Sequence, residues 1–100
     1  MLLIVWEFIV RKDRIEDFET LYREDGAWAE LFRRSPGFVS TTLWRDLQDP
    51  RRFLVADRWT GAEGFEAFRR EHDAAYRALD ERCKRLTERE TEIGRFDSRA

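Results

Sequence analysis

Leu2-Leu3-Ile4-Val5-Trp6-Glu7-Phe8-Ile9-Val10 is apolar at every position but Glu7. β-Branched and aromatic side chains dominate the run, so it reads as a strand. Because alternate residues of a strand point to opposite sides, this strand is apolar on both faces. The run is too short to cross a bilayer. It has neither the basic flank nor the small-residue cleavage site of a secretory leader, and neither a membrane span nor a leader is expected.

Outward from this strand the period changes. From Asp13 onward Ile15, Phe18, Leu21, Tyr22, Trp28, Leu31 and Phe32 fall on or near one side of a helix, with Asp13 and Glu16 placed as an acidic capping box. Asp25-Gly26 predicts a kink or a break in that helix, and Ser35-Pro36-Gly37 ends it. Phe38 to Asp46 and Arg52 to Trp59 have strand composition and are separated by Leu47-Gln48-Asp49-Pro50-Arg51, which is turn chemistry of hairpin length. Thr60 with Glu63 forms a second capping box. It opens a stripe of Phe65, Phe68, His72, Tyr76, Leu79, Cys83 and Leu86, which predicts one helix of about six turns, bent near Asp73. Thr91 to Phe96 reads as a short closing strand.

The order β-α-β-β-α-β folds, by the handedness of crossover connections, into an α+β domain of ferredoxin-like topology. Its four-stranded antiparallel sheet carries both helices on one face. Two helices cover one face of a sheet whose first strand is apolar on two. The second face therefore calls for a partner, and a second copy of the chain supplies one, so a homodimer through the sheet faces is expected.

A length of 100 residues fits one domain, taken as residues 1–100. The 19 basic and 21 acidic residues leave a net charge of −2. Both signs alternate finely along the helices, which lacks the basic stripe that phosphate binding needs; nucleic acid is not an expected partner. Cys83 is the single cysteine, so no disulfide forms within the chain, and a reducing, cytoplasmic location is expected. Glycine-rich phosphate loops, dinucleotide fingerprints and nucleophile elbows are absent from the sequence, and one histidine among scattered carboxylates gives no metal-ligand spacing.

Pro36-Gly37-Phe38, Leu43-Trp44-Arg45-Asp46, Phe53-Leu54-Val55-Ala56-Asp57-Arg58-Trp59 and Ile93-Gly94-Arg95-Phe96 together resemble the antibiotic biosynthesis monooxygenase family. That family belongs to the dimeric α+β barrel superfamily, and the resemblance spans essentially the whole chain. It implies a ligand held between sheet and helices. It also implies one of three functions: a cofactor-independent monooxygenase acting with dioxygen on a planar phenol or hydroquinone, a haem-binding or haem-degrading protein, or a binding or interaction module without turnover. The catalytic members rely on an asparagine together with a tryptophan and a further polar residue. This chain contains no asparagine; Trp59 stands at the position of the family's strand tryptophan, and Asp57 at that of an acidic residue two positions earlier. A histidine found near the start of the second helix in relatives is Phe68 here, with His72 one turn on.

Polar groups inside an apolar stripe are the candidate site, because burying them without a partner costs about 1–3 kcal/mol. His72 and Tyr76 are neighbours at i and i+4, and Phe53, Val55, Asp57 and Trp59 share one strand face. If that face meets the helices, Asp57, Trp59, His72 and Tyr76 converge on one pocket. His72 is then the base that takes a phenolic proton, Tyr76 orients the substrate oxygen, and Asp57 holds the imidazole tautomer or a second hydroxyl. Trp59, Phe68 and Trp44 are the aromatics expected against the substrate ring. His72 and Tyr76 serve equally well as hydrogen-bonded interior residues, and Trp6, Trp28 and Trp44 as core or interface. No cofactor is required for this chemistry. For haem, His72 is the only histidine available as an axial ligand.

Overall fold

The computed structural model describes residues 1–99. The elements run β1 (Leu2–Val10), α1 (Ile15–Tyr22), α2 (Ala27–Phe32), β2 (Phe38–Arg45), β3 (Arg52–Trp59), α3 (Ala62–Glu71), α4 (Asp73–Cys83) and β4 (Thr87–Asp97). The strands form one antiparallel sheet in the order β2-β3-β1-β4. The most apolar strand thus lies inside the sheet, paired along both edges. This is the α+β, ferredoxin-like arrangement expected from the element order.

The period of two assigns the faces. Ile4, Phe8 and Val10 of β1 and Phe53, Val55, Asp57 and Trp59 of β3 are buried against the helices. Cross-strand partners share a face, so Leu3, Val5 and Ile9 point the other way with Leu54, Ala56, Trp44 and Phe96. Among the described residues no helix covers that second face, and Trp44 and Phe96 are exposed on it. Glu7 also lies there, in an ion-pair chain: Arg52 donates to Glu7 at 2.7 Å and to Asp46 at 2.8 Å, and Arg89 approaches Glu7 at 3.8 Å. Asp46 also accepts the backbone N–H groups of Gln48 and Asp49, which close the hairpin turn. Those bonds, with Arg52, hold its carboxyl down at about 2.

The core is a connected set of rings. Phe18 stacks on Tyr22 at 4.1 Å and meets Phe8 and Phe53 at 5.2 and 5.0 Å. Tyr22 continues to Trp28, Trp28 to Phe32, and Phe32 to Trp59 and Phe68. Truncating one such buried ring costs about 3–5 kcal/mol through lost burial and the cavity left behind. Where β2 begins, a Cβ on Gly37 would lie 2.8 Å from the Cα of Gly64 in α3. Only paired glycines let the strand and helix backbones approach so closely.

One alternative is decided and three expectations need correction. Of a kink or a break at Asp25-Gly26 the structure has the break, which yields two short helices, and a Cβ at Gly26 would meet the carbonyls of Thr20 and Leu21 at 2.6 Å, so the junction accepts only glycine. Neither capping box forms: α1 starts after Arg14 and α3 after Gly61, each without a side-chain cap. The long second helix is divided at His72, whose φ of −121° and ψ of 27° leave the helical region. The closing strand is longer than Thr91 to Phe96, since a single 3-10 turn at Lys84–Leu86 ends the helical stretch and pairing with β1 starts at Thr87. Among the described residues no helix is long and apolar enough to cross a membrane.

Candidate functional site

Between the sheet and α1, α2 and α4 lies a cavity of about 140 Å³. Its walls are aromatic: Trp6 and Phe8 from β1, Tyr22 from α1, Trp28 and Phe32 from α2, and Tyr76 from α4. Its polar groups are Thr41, Asp57, Asp80 and Glu90. Local structure explains each placement. Asp57 sits mid-strand in β3 with Ile4 and Thr41 as its cross-strand partners, so its side chain must enter the helix-facing layer. Asp80 follows Tyr76 by one helical turn on α4 and shares its face. Glu90 pairs with Phe8 and therefore projects to the same side of the sheet.

Asp57 is 6% exposed. The Thr41 hydroxyl donates to its Oδ1 at 2.6 Å. Its Oδ2 has no hydrogen-bond partner among the described residues. Burial pushes the carboxyl up to about 6, and the Thr41 hydrogen bond restrains the rise. Burial, then the neighbouring Asp80 charge, also raises Glu90. The Tyr76 phenol is raised chiefly by burial, opposed by Arg69, whose guanidinium lies 3.9 Å from the ring centre. Tyr22, deeper in the wall, is raised by burial and by Cys83.

Of the residues singled out in the sequence, Asp57 and Tyr76 line this cavity. Trp59 and Phe68 do not. Both are 0% exposed and pack on one another at 5.2 Å, behind Phe32. His72 does not line it either: the break between α3 and α4 sets its ring against Phe68 at 5.5 Å. Trp44 is 59% exposed on the opposite face of the sheet, where register with Leu54 directs it away from the helices. The expected convergence of four residues is therefore a convergence of two. Thr41, Asp80 and Glu90 were missed. The i, i+4 step from Tyr76 pointed to Asp80, whereas Glu90 preceded the expected start of the closing strand.

Sheet order, helix placement and a partly open cavity between them define the class: a ferredoxin-like α+β unit with an aromatic cavity under its helices. The family model for antibiotic biosynthesis monooxygenase matches residues 1–89, and the chain belongs to that family. No curated protein matches it. Among solved structures it is similar to SnoaB from Streptomyces nogalater, described as a cofactor-independent oxygenase. The identity is 26% over 99% of this chain and 93% of that one, with a TM-score of 0.68. An asparagine-to-alanine variant of SnoaB superposes with a TM-score of 0.70 at the same identity and coverage. A protein from Pseudomonas aeruginosa shares the fold at 17% identity, 99% and 94% coverage and a TM-score of 0.75.

Proposed function

We propose that the chain is a cofactor-independent monooxygenase that oxidises a planar phenol with dioxygen in the cavity beneath α2 and α4, and that Asp57 is its base. The observation that carries this reading is a buried carboxyl on the wall of an aromatic cavity, with one oxygen free and a proton affinity set near neutrality. Asp57 takes the phenolic proton. The phenolate passes an electron to dioxygen, and the radical pair combines at a hydrogen-bearing ring carbon ortho or para to the oxygen. Asp57 returns its proton to the peroxide, the O–O bond breaks as the ring C–H proton leaves, and phenol plus dioxygen become quinone plus water. The role assigned to His72 passes to Asp57 because His72 stands outside the cavity. Trp59 acts on the substrate through Phe32, and Phe68 through Phe32 and Tyr76, as the packing behind the wall.

The same position of His72 and the size of the cavity fit poorly with a haem held through a histidine. Binding without turnover is a second reading, favoured by the absence of asparagine from the sequence. The uncovered sheet face, apolar around Val5, Ala56 and Phe96, is proposed as the seat of a homodimer, and the buried free thiol of Cys83 suits a cytoplasmic location.

Oxygen consumption with simple hydroquinones and phenols, followed at an electrode, tests the catalytic reading. The parent protein is expected to take up one dioxygen per quinone formed. Asp57→Asn is expected to lower the rate by 10²-fold or more, within the range for removing a general base. Quinone formation at an unchanged rate in that variant would remove Asp57 from the mechanism, and ligand binding with no oxygen uptake in the parent would leave the binding-only reading.

A further inference from the structure

Three carboxyl groups face one aromatic cavity, and no lysine or arginine is among its lining residues. Two cations act on the lining from outside it. Lys84, whose charge reaches Glu90, bonds Glu81 at 3.3 Å, and Arg69, whose charge reaches Tyr76, lies 3.9 Å from the centre of that ring and approaches Asp73 at 3.6 Å, with its buried Nε unpartnered among the described residues. The burial is graded. Asp57 is nearly sequestered beside Thr41, Asp80 is half-buried, and Glu90 is exposed at the opposite, β4 side. Among the described residues no three histidine, cysteine or carboxylate groups are gathered so as to hold a metal ion. The negative charge therefore faces the space that a ligand would fill.

We infer that the substrate is a single-ring phenol carrying a protonated amine. This rests on the phenol-binding reading above and narrows it. The free Oδ2 of Asp57 receives the phenolic hydroxyl at the inner end. Asp80 and Glu90 receive the ammonium at the outer end, and Trp28 and Tyr76, both in the cavity lining, flank the path between them. An ammonium against aromatic faces and carboxylates gains from both at once, and the gain grows as water is excluded. Size points the same way: a cavity of about 150 Å³ holds one benzene ring, and this one is about 140 Å³. A fused three-ring substrate would have to displace Trp28 or Tyr76, which already meet edge to face at 5.1 Å.

Isothermal titration of the full chain with three phenols of matched shape tests the inference: tyramine, 4-ethylphenol and 3-(4-hydroxyphenyl)propanoate. Tyramine is expected to bind at least tenfold more tightly than 4-ethylphenol, and the propanoate more weakly than either. In the double variant Asp80→Asn, Glu90→Gln the ratio of tyramine to 4-ethylphenol affinity is expected to fall to twofold or less. If 4-ethylphenol binds as well as tyramine, the amine is not recognised and the inference falls, while the phenol site stands. A preference for tyramine that survives the double variant overturns it too. If none of the three binds, the phenol site itself is wrong.

Discussion

Replacing Asp57 with asparagine should make the protein more stable as well as less active, and by an amount that depends on pH. Burial raises the carboxyl from 3.8 to about 6. Below pH 3.8 the group is neutral in both the folded and the unfolded chain, and it costs the fold nothing. As pH rises through about 6, the unfolded chain has already released its proton, and the folded chain must bury a carboxylate. Stability present at low pH is thus lost on the way up. A rise of about two pH units corresponds to about 3 kcal/mol at 1.36 kcal/mol per unit. Against a total of about 5–15 kcal/mol for a domain, that is a large fraction. Asparagine preserves the shape and still accepts the Thr41 hydroxyl through Oδ1, while its amide takes the place of the free Oδ2 at the cavity. In urea titrations at one fixed protein concentration, Asp57→Asn should exceed the parent by about 3 kcal/mol at pH 8, with the difference closing towards zero near pH 3.5. A variant no more stable than the parent at pH 8, or a difference that does not change with pH, would refute the account of Asp57 as a buried, uncompensated charge.

Thr41→Val removes the hydroxyl that donates to Asp57 Oδ1 and should raise the carboxyl further. The base is active when deprotonated, so the low-pH limb of the rate profile should move upward by roughly one pH unit, the worth of one hydrogen bond to a charged group. A limb that stays in place would separate Asp57 from the rate. Val5→Arg puts a charge at the centre of the uncovered sheet face, opposite Ala56 and Gly94. Sedimentation velocity should then show a monomer at micromolar concentration where the parent is a dimer, and an intact dimer in the variant would place the contact elsewhere.

The elements of the fold were legible because their periods differ. The two-sided apolar run of β1, the hairpin around Asp49-Pro50 and the three-and-four stripe from Phe65 each admit one reading of element type, although the stripe does not show that the helix divides at His72. The helix starts were not, since Asp13 and Thr60 match a capping pattern whose hydrogen bonds depend on a register the pattern does not contain. The site was half legible. Strand alternation put Asp57 on one face with Phe53, Val55 and Trp59 but did not say which face meets the helices, and helical spacing put Tyr76 on the inner face. Spacing along one element cannot say where two elements leave a gap between them. His72 belongs to the same stripe as Tyr76, yet the turn of backbone at the α3–α4 junction sets it beside Phe68, outside the cavity. Trp44 was misassigned because its face depends on pairing with Leu54, and that register is a property of two strands together.

The positions of the four tryptophans give the molecule a built-in pair of optical reporters. Trp6 and Trp28 are part of the cavity wall, so their emission responds to a ring entering beside them. Trp44 looks out from the far side of the sheet and is quenched or blue-shifted by whatever covers that side. A Trp44→Phe chain would watch ligand entry alone, and its difference from the parent would watch assembly, which lets the two events be timed separately in one cuvette.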